Sequence, residues 1–385
     1  MPLRIGLVAG EASGDTLGAG LIGAIRAVVP DAVFFGIAGP KMQAQGCEVW
    51  EPSESLALMG LFEILRHLPR LFRLRARVLQ RFIAARPDVF VGIDAPEFNL
   101  GLARRLRAAG LTTVQYVSPQ VWAWRQGRVR SMRSAVDLVL CLLPFEKRFY
   151  DEQGLRAEFV GHPIADAIPL EVDRAAARSA LQLPAQGSLV ALLPGSRRGE
   201  VTRLADDFAL TVRWLHVARP GLSFVAPMAN PEARSIFAAA LARHAPGTSV
   251  QLLDGHAQAA LIASDVALVA SGTASLETAL CKRPMVVVYR LGALTAFVLR
   301  NLKLVKSRFF AQPNLLADRR IVGEYFQEQI IPEAIGAELL AWLDDDTRRA
   351  ALQAQFLAIH RQLRQGASES AAAAILQLAR PAPPS

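Results

Sequence analysis

Short apolar runs alternate with longer amphipathic runs along most of this 385-residue chain, and this alternation limits the fold more than any other feature. An apolar run bounded by turn residues predicts a buried strand, and strand–helix–strand succession predicts a parallel sheet with helices on its faces. A helix over Thr16–Val29 joins the first two predicted strands. The strands predicted in the first half are Ile5–Ala9, Val33–Ile37, Asp88–Ile93, Thr112–Val117 and Leu138–Leu142.

The same pattern restarts after residues 165–187, which have the composition of a linker with one helix over Arg174–Leu181. The sequence therefore predicts an α/β protein with two Rossmann-like domains, at residues 1–165 and 186–343. Residues 344–380 are predicted to be helices that pack back on the first domain. The strands predicted in the second half are Leu189–Leu193, Ser223–Pro227, Val250–Leu253, Val266–Val269 and Met285–Tyr289.

Charge and cysteine content narrow the class of protein. The net charge of +9 indicates an anionic partner, which can be nucleic acid, an acidic lipid surface or a phosphorylated substrate. Cys47, Cys141 and Cys281 lie far apart, which favours a reducing compartment and argues against a thiolate metal site. The first residues run straight into a strand, so no signal peptide is predicted. No uncharged apolar run reaches the ~18 residues that a membrane-spanning helix needs.

The turn Ser271-Gly272-Thr273 has the composition of a phosphate site. It follows the strand Val266–Val269 and precedes a predicted helix, whose first N–H groups have no partner inside the helix. Such N–H groups and the helix dipole attract phosphate. Glu277 lies one turn into the helix, where a carboxylate can accept hydrogen bonds from ribose hydroxyls. The alternative interpretation is an ordinary strand–turn–helix with a serine cap.

A second loop in the same domain has complementary chemistry. Gly195, Ser196 and Arg197 follow the strand Leu189–Leu193 and precede a helix predicted over Leu204–Ala218. Small residues allow the backbone to approach a ligand closely, and a guanidinium group binds phosphate through two parallel hydrogen bonds. Together the two loops predict that the second domain binds a nucleoside diphosphate.

Two other motifs are not interpreted as sites. Gly18–Gly23 matches the dinucleotide pattern G-x-G-x-x-G, but six loop residues separate it from the preceding strand, and the motif requires direct strand–turn–helix context. Asp344–Asp346 has the spacing of a metal motif, but it precedes Thr347-Arg-Arg and is typical of a helix start. The sequence contains no P-loop pattern.

In the first domain, acidic and polar residues follow the predicted strands. Asp94 comes directly after Asp88–Ile93, a position that suits a general base; its alternative role is to cap a helix, and Glu97 is the second candidate base. His162 lies between glycine and proline and is interpreted as structural. Further candidates for contact with a second substrate are Glu11, Ser13, Asp15, Asn99, Gln120 and Trp122.

The segment Leu61–Ile83 combines a broad apolar stripe with six arginines and a single acid, Glu63. Pro69 is expected to kink it or to divide it into two helices. A basic amphipathic helix of this kind can lie in a membrane surface, whereas the alternative is a helix that packs one face on the core. The residues expected to contact a membrane are Leu65, Leu68, Arg70, Leu71, Phe72 and Arg73.

Seven short motifs between about residue 3 and residue 325 together resemble the lipid-A-disaccharide synthase family, and the order in which they occur makes the resemblance specific. They are Gly10–Asp15, Gly92–Asn99, Ser118–Trp124, Val160–Pro163, Leu193–Arg197, Ser271–Glu277 and Pro313–Ala317.

The resemblance implies a GT-B fold, in which two Rossmann-like domains face each other across a cleft. It implies an inverting glycosyltransferase that joins UDP-2,3-diacylglucosamine to 2,3-diacylglucosamine 1-phosphate (lipid X) and forms a β-1,6 disaccharide 1-phosphate and UDP. Asn314 matches a family position at the donor site. No cofactor, metal or nucleic acid is expected.

The resemblance also implies a cytoplasmic enzyme that associates peripherally with the anionic inner membrane; its oligomeric state is left open. Two alternative functions remain open. One is an enzyme similar to UDP-sugar 2-epimerases, and the other is a non-enzymatic nucleotide-binding protein at a membrane surface.

Overall fold

The computed structural model describes residues 2–56, 61–124, 126–292 and 308–379, with the backbone alone described at 61–68, 123–124 and 126. The chain forms two compact units, which we call unit 1 (Met1–Asp166 with Leu363–Ser385) and unit 2 (Ala167–Gln362). The prediction that residues 344–380 pack on the first domain needs a correction for its first part, because residues 344–362 belong to unit 2 and only the residues from Leu363 onward belong to unit 1.

Unit 1 contains a parallel sheet of seven strands in the order β3-β2-β1-β4-β5-β6-β7. The strands are β1 (Arg4–Ala9), β2 (Val33–Ala38), β3 (Glu48–Pro52), β4 (Val89–Ile93), β5 (Thr112–Tyr116), β6 (Leu138–Cys141) and β7 (Ala157–Phe159). The helices of this part of the chain are α1 (Glu11–Val28), α2 (Pro40–Ala44), α3 (Leu61–Ala85), α4 (Pro96–Ala108), α5 (Val121–Trp124), α6 (Val129–Arg133), α7 (Pro144–Glu152) and α8 (Pro163–Ala167). The last residue of α8, Ala167, is the first residue of unit 2.

Unit 2 contains a parallel sheet of six strands in the order β10-β9-β8-β11-β12-β13. Its strands are β8 (Leu189–Leu193), β9 (Ser223–Met228), β10 (Gln251–Asp254), β11 (Val266–Ala270), β12 (Met285–Tyr289) and β13 (Gly323–Phe326). The described helices of unit 2 are α9 (Arg174–Ala180), α10 (Arg198–Ala218), α11 (Pro231–His244), α12 (Ala257–Ala263), α13 (Thr273–Leu280), α14 (Gln312–Ala317), α15 (Pro332–Asp344) and α16 (Asp346–Leu363). The last helix, α17 (Ala367–Ala379), belongs to unit 1.

Strand β1 shows how the apolar runs fill the core on both faces of the sheet. Leu7 and Val8 are both fully buried and point to opposite faces, because successive strand residues alternate. Leu7 belongs to a cluster that includes Leu21 of α1 and Ile375 of α17, so the last helix covers this face of unit 1. Val8 belongs to a cluster on the other face, with Phe82 of α3.

Each sheet reverses its strand order at one point, between β1 and β4 in unit 1 and between β8 and β11 in unit 2. Ligands of open parallel sheets bind outside the carboxyl ends of the strands at this topological switch point. In unit 1 the segments there contain Glu11, the first residue of α1, and Asp94. In unit 2 they contain Arg197 and Gly272.

The helices after the switch-point strands begin earlier than predicted, which corrects the local structure around several candidates. Helix α1 begins at Glu11 instead of Thr16, and α10 begins at Arg198 instead of Leu204. Ser13 and Asp15 are therefore helical residues instead of loop residues. Helix α3 continues through Pro69, so the predicted division of this segment into two helices is wrong. The alternative, a kink at Pro69, stays a prediction.

Candidate active site

The turn between β11 and α13 leaves open space at the start of a helix. Gly272 has φ +150°, a conformation that side chains other than glycine rarely adopt, and a Cβ added there would meet no heavy atom within 4 Å. Ser271 Oγ donates to the Phe310 carbonyl at 3.2 Å, and Ser275 Oγ donates to the Gly272 carbonyl at 2.8 Å. These bonds fix the turn, while the first N–H groups of α13 have no partner inside the helix.

Glu277 lies one turn further along α13 and is half-buried. Burial raises the pKa of its carboxyl group. Within the described ranges, no group donates a hydrogen bond to this carboxylate. A partly desolvated carboxylate without donors is suited to a ligand that brings hydroxyl groups of its own.

The structure corrects the role predicted for Asn314, which was expected to contact the donor. Its side chain is fully buried, its Oδ1 accepts from the N–H groups of Ile321 and Val322, and its Nδ2 donates to the Val322 carbonyl and to Glu324. All its polar atoms are therefore used within the protein. Asn314 holds the segment that enters β13 in place.

Glu324, which the sequence did not single out, links this segment to the β11 turn. Its carboxylate accepts from the N–H of Ala311 at 2.7 Å and from the N–H of Phe310, whose carbonyl in turn accepts from Ser271. Burial raises the pKa of the Glu324 carboxyl group, although these hydrogen bonds oppose the shift. Glu324 and Asn314 thus support the turn between β11 and α13.

The loop after β8 forms the other side of the switch point in unit 2. Gly195 has φ +120°, and a Cβ there would lie 2.3 Å from Glu200 Oε2, so only glycine fits. Glu200 Oε2 accepts from the Ser196 N–H at 3.1 Å, and Asn230 Nδ2 donates to the Ser196 carbonyl at 3.0 Å. The Arg197 side chain is exposed and makes no hydrogen bond or ion pair with any described residue. Its guanidinium group is therefore available to a ligand.

At the switch point of unit 1, strained backbone surrounds Asp94. Asp94 has φ +52° and Ala95 has φ +39°, while Glu11 after β1 has φ +64° and Val117 after β5 has φ +75°. Positive φ is costly for residues other than glycine, above all for a β-branched valine, and such strain concentrates at functional sites. A Cβ at Gly10 would lie 2.8 Å from Ala95 Cβ, so the loops after β1 and β4 touch.

Two buried side-chain amides hold the carbonyl of Asp94. Asn99 Nδ2 donates to it at 2.8 Å and Gln115 Nε2 donates at 3.1 Å. Both side chains are at most 1% exposed, so they lie beneath Asp94 and not at the surface of the site. The predicted substrate contact of Asn99 is therefore corrected to a supporting role, and Gln115 is a supporting residue that sequence reasoning missed.

The remaining acidic candidates in unit 1 differ in availability. Glu97 forms a bidentate ion pair with Arg128, at 2.7 and 2.9 Å. Glu11 and Ser13 are exposed near the start of α1. Asp15 is 3% exposed, and its carboxylate accepts from the N–H groups of Gly39, Lys41 and Met42. The predicted substrate contact of Asp15 is corrected, because this carboxylate caps α2.

The loop after β5 presents Gln120 and Trp122. Gln120 is exposed, while Trp122 is half-buried, packs edge-on against Phe145 at 4.8 Å and donates from Nε1 to Glu146 Oε1 at 3.2 Å. Burial raises the pKa of the Glu146 carboxyl to about 7. Sequence reasoning missed Glu146, which lies in the first turn of α7 and accepts from the Leu143 N–H at 3.1 Å.

Two motifs interpreted as structural have structural roles here. His162 Nδ1 accepts from the Ile164 N–H at 3.2 Å, and burial lowers the pKa of His162 to about 4, so the ring is neutral. In the acidic run, Asp344 pairs with Arg219, and Asp345 caps α16 by accepting from the Arg348 N–H. No three His, Cys, Asp or Glu side chains within the described ranges group together as a metal site.

Helix α3 divides its residues between core and surface. Leu74, Val78 and Phe82 are buried, whereas Phe72 is 54% exposed. Arg70 and Arg73 are exposed beside Phe72, and Leu71 is partly buried. The side chains of Leu65 and Leu68, also expected at a membrane, lie outside the described residues. Among the helices of the described ranges, none has the length and apolar character needed to cross a bilayer.

Two solved structures have a fold similar to that of this chain. A UDP-GlcNAc 2-epimerase from Neisseria meningitidis, solved bound to UDP-GlcNAc, is similar with a TM-score of 0.62 over 97% of this chain and 100% of that one, at 11% identity. The glycotransferase of kitacinnamycin is similar with a TM-score of 0.61 over 98% and 99%, at 16% identity. At these identities the likeness shows the fold alone, and it agrees with the predicted GT-B class.

Sequence comparison is more specific. Residues 5–377 match the model of the family described as lipid-A-disaccharide synthetase. A lipid-A-disaccharide synthase of Pseudomonas aeruginosa (strain UCBPP-PA14) is 53% identical, and one of Sodalis glossinidius is 52% identical, each over 98% of both chains. This chain therefore belongs to the lipid-A-disaccharide synthetase family of glycosyltransferases.

Proposed function

We propose that this enzyme condenses UDP-2,3-diacylglucosamine with 2,3-diacylglucosamine 1-phosphate and releases UDP and the β-1,6-linked disaccharide 1-phosphate. The observation that carries the proposal is the switch point of unit 2. There an open helix start at Gly272, a free guanidinium group at Arg197 and a carboxylate without donors at Glu277 occur together. These three groups match the diphosphate and the ribose of a UDP-sugar.

Unit 1 supplies the base in this proposal. The 6-hydroxyl oxygen of the acceptor attacks the anomeric carbon of the donor while its proton passes to the Asp94 carboxylate, and the bond from that carbon to the diphosphate oxygen breaks. One displacement of this kind inverts an α-linked donor to a β-linked product. The support for Asp94 is its strained backbone at the switch point of unit 1.

The negative charge that develops on the departing UDP needs stabilisation. Arg197 and the N–H groups at the start of α13 provide fixed positive charge and dipoles for it, without reorganisation during the reaction. We therefore expect turnover to persist when EDTA is present.

Acyl chains on both substrates would keep them in a membrane, so the enzyme needs contact with that surface. We assign this contact to α3, where Phe72, Arg70 and Arg73 are exposed and the Arg75 guanidinium group lies over the Phe72 ring at 4.9 Å. An exposed aromatic ring among cations is suited to the interface of an anionic bilayer. The proposed location is accordingly the cytoplasmic face of the inner membrane, with peripheral attachment.

Isothermal titration with UDP tests the donor site. We expect Glu277→Gln and Arg197→Ala each to weaken UDP binding by about tenfold or more, since each removes hydrogen bonds to a charged group. Glu333→Gln is the matched control, because Glu333 is an exposed carboxylate in the first turn of α15 in the same unit. The assignment is wrong if both site variants bind UDP as tightly as the parent and the control.

A further inference from the structure

Unit 2 contains a second polar cavity, of about 340 Å³, at the opposite edge of its sheet from the UDP site proposed above. Its lining includes Asp265, which immediately precedes β11, and Arg283, which lies two residues before β12. The proposed UDP site instead follows the carboxyl ends of β8 and β11. Arg174 of α9 and Arg349 of α16 complete the charged part of the lining, with Asp346.

Both carboxylates of this cavity already have protein partners. Asp265 pairs with Arg174 and with Arg178, whose Nη2 lies 2.8 Å from Oδ2, and it also accepts from the Leu189 N–H. Asp346 pairs with Arg349. Neither carboxylate forms an ion pair with Arg283.

Arg283 is the exception in this cluster. Its side chain is 8% exposed, its Nε is buried without a hydrogen-bond partner, and its guanidinium group makes no ion pair with any residue in the described ranges. Burial lowers the pKa of Arg283, but a guanidinium group keeps its proton in proteins. The charge of Asp265 offsets the burial of this cation only in part, so a further anion from outside the chain would stabilise it.

We propose that this cavity is a second anion site, distinct from the donor site, which binds a phosphate group through Arg283. The charged lining consists of three guanidinium groups, of Arg174, Arg283 and Arg349, and two carboxylates, of Asp265 and Asp346. This positive surplus favours an anion, and the planar donor fork of arginine matches phosphate oxygens. The ligand is a small soluble phosphate, either the free ion or a phosphate monoester.

Arg283 also connects this site to the reaction by position. It follows α13, the helix whose first turn forms the proposed phosphate turn of the donor site, and Arg283 N donates to the Thr278 carbonyl at 3.1 Å. A bound phosphate would thus fix the end of the donor helix that lies away from the substrate.

The test is titration of the full chain with inorganic phosphate while saturating UDP occupies the donor site. We expect the parent to bind phosphate, Arg283→Met to weaken binding at least about tenfold, and Arg283→Lys to retain part of it. Arg213→Met is the matched control, because Arg213 is an exposed arginine of α10, and it should bind phosphate like the parent. Competition with glucose 1-phosphate separates the two ligand sources. If glucose 1-phosphate displaces inorganic phosphate, the ligand is a monoester. If it does not, the ligand is the free ion.

Equal phosphate affinity in Arg283→Met and the parent, or no binding by the parent at millimolar phosphate, would overturn the proposal. If Arg283→Met does not fold, the test uses ¹⁵N NMR spectra of the parent protein labelled at arginine instead. Phosphate is then expected to shift an Nε–H resonance that Arg283→Lys lacks. Unchanged resonances on titration would equally overturn the proposal.

Discussion

Asp94 keeps its left-handed backbone through the side chains beneath it. The amides of Asn99 and Gln115 come from different elements, α4 and β5, and both donate to the Asp94 carbonyl. In the proposed reaction, these bonds and the strained backbone at Asp94 and Ala95 would orient the carboxylate of the base before the substrates bind.

Gln115→Met tests this support. We expect kcat to fall by about 10- to 100-fold with KM nearly unchanged, because the base shifts while the substrate sites remain. Thr113→Val is the matched control: Thr113 lies on the same face of β5, is fully buried and bonds to Asp137 and Ala135. Thr113→Val should lower the free energy of unfolding, measured in urea, by an amount comparable to the effect of Gln115→Met, but it should change kcat little. Equal kcat losses in the two variants would reduce Gln115 to a general packing role.

The Glu146 carboxyl group is expected to make the free energy of unfolding depend on pH. Burial raises the pKa of its carboxyl group from 4.5 to about 7. The folded protein therefore binds the proton more tightly than the unfolded chain, and stability due to this group falls as pH rises from about 4.5 to about 7. The loss is roughly 3 kcal/mol across that window.

Glu146→Gln removes this titration. The difference in unfolding free energy between variant and parent should therefore grow in favour of the variant as pH rises from 5 to 7.5, in urea titrations at each pH. A difference that stays constant with pH would show that Glu146 titrates normally in the folded protein.

At the scale of single elements, strand interiors were predictable and helix starts were not. The bounds of β8 and of β12 agree with the prediction, because an apolar run of strand length between turn residues has few other uses. Strands β3, β7 and β13 were missed, since they are short and only partly buried. Helices α1 and α10 begin within glycine-containing segments that predict a loop.

The same limit explains the mistaken site residues. Asp15 and Asn99 follow switch-point strands, as ligand-binding residues do, whereas the role expected of Asn314 came from the family resemblance. Yet most partners of these three side chains are backbone groups that become neighbours only in the folded unit, such as Val8 for Asn99. A polar residue that supports a site and one that binds a ligand have the same sequence pattern, and only burial separates them.

Helix α3 carries the prediction about membrane contact. The triple variant Arg70→Gln, Phe72→Ser, Arg73→Gln should lose most of its binding to anionic vesicles in a sedimentation assay. An arginine near an anionic surface contributes about 1 kcal/mol, and a buried phenylalanine about 1.5–3 kcal/mol. High salt should weaken the parent only partly, because salt screens the charges and not the apolar contact.

Arg77→Gln with Arg81→Gln is the control for the triple variant. These two arginines contact Glu51 and Trp50 of their own unit, so their loss should affect vesicle binding less. Undiminished sedimentation of the triple variant would place the membrane contact elsewhere on the chain.

At the scale of the whole molecule, the two units divide the proposed chemistry. Each unit has its own parallel sheet and its own switch point, and the chain passes between units after Asp166 and again before Leu363. The sequence predicted two domains and the break near residue 165 from the restart of the strand pattern. It did not predict that α16 stays with unit 2, because α16 and α17 have similar alanine-rich sequences.

The most direct test of the proposed reaction measures UDP release from UDP-2,3-diacylglucosamine with and without lipid X. The proposal predicts UDP and disaccharide only when lipid X is present, and a loss of ~10²–10⁴-fold in folded Asp94→Asn with UDP binding retained. Release of UDP or formation of a 2-epimer without lipid X would contradict it and favour epimerase chemistry. A near-parental rate in folded Asp94→Asn would contradict the assignment of the base.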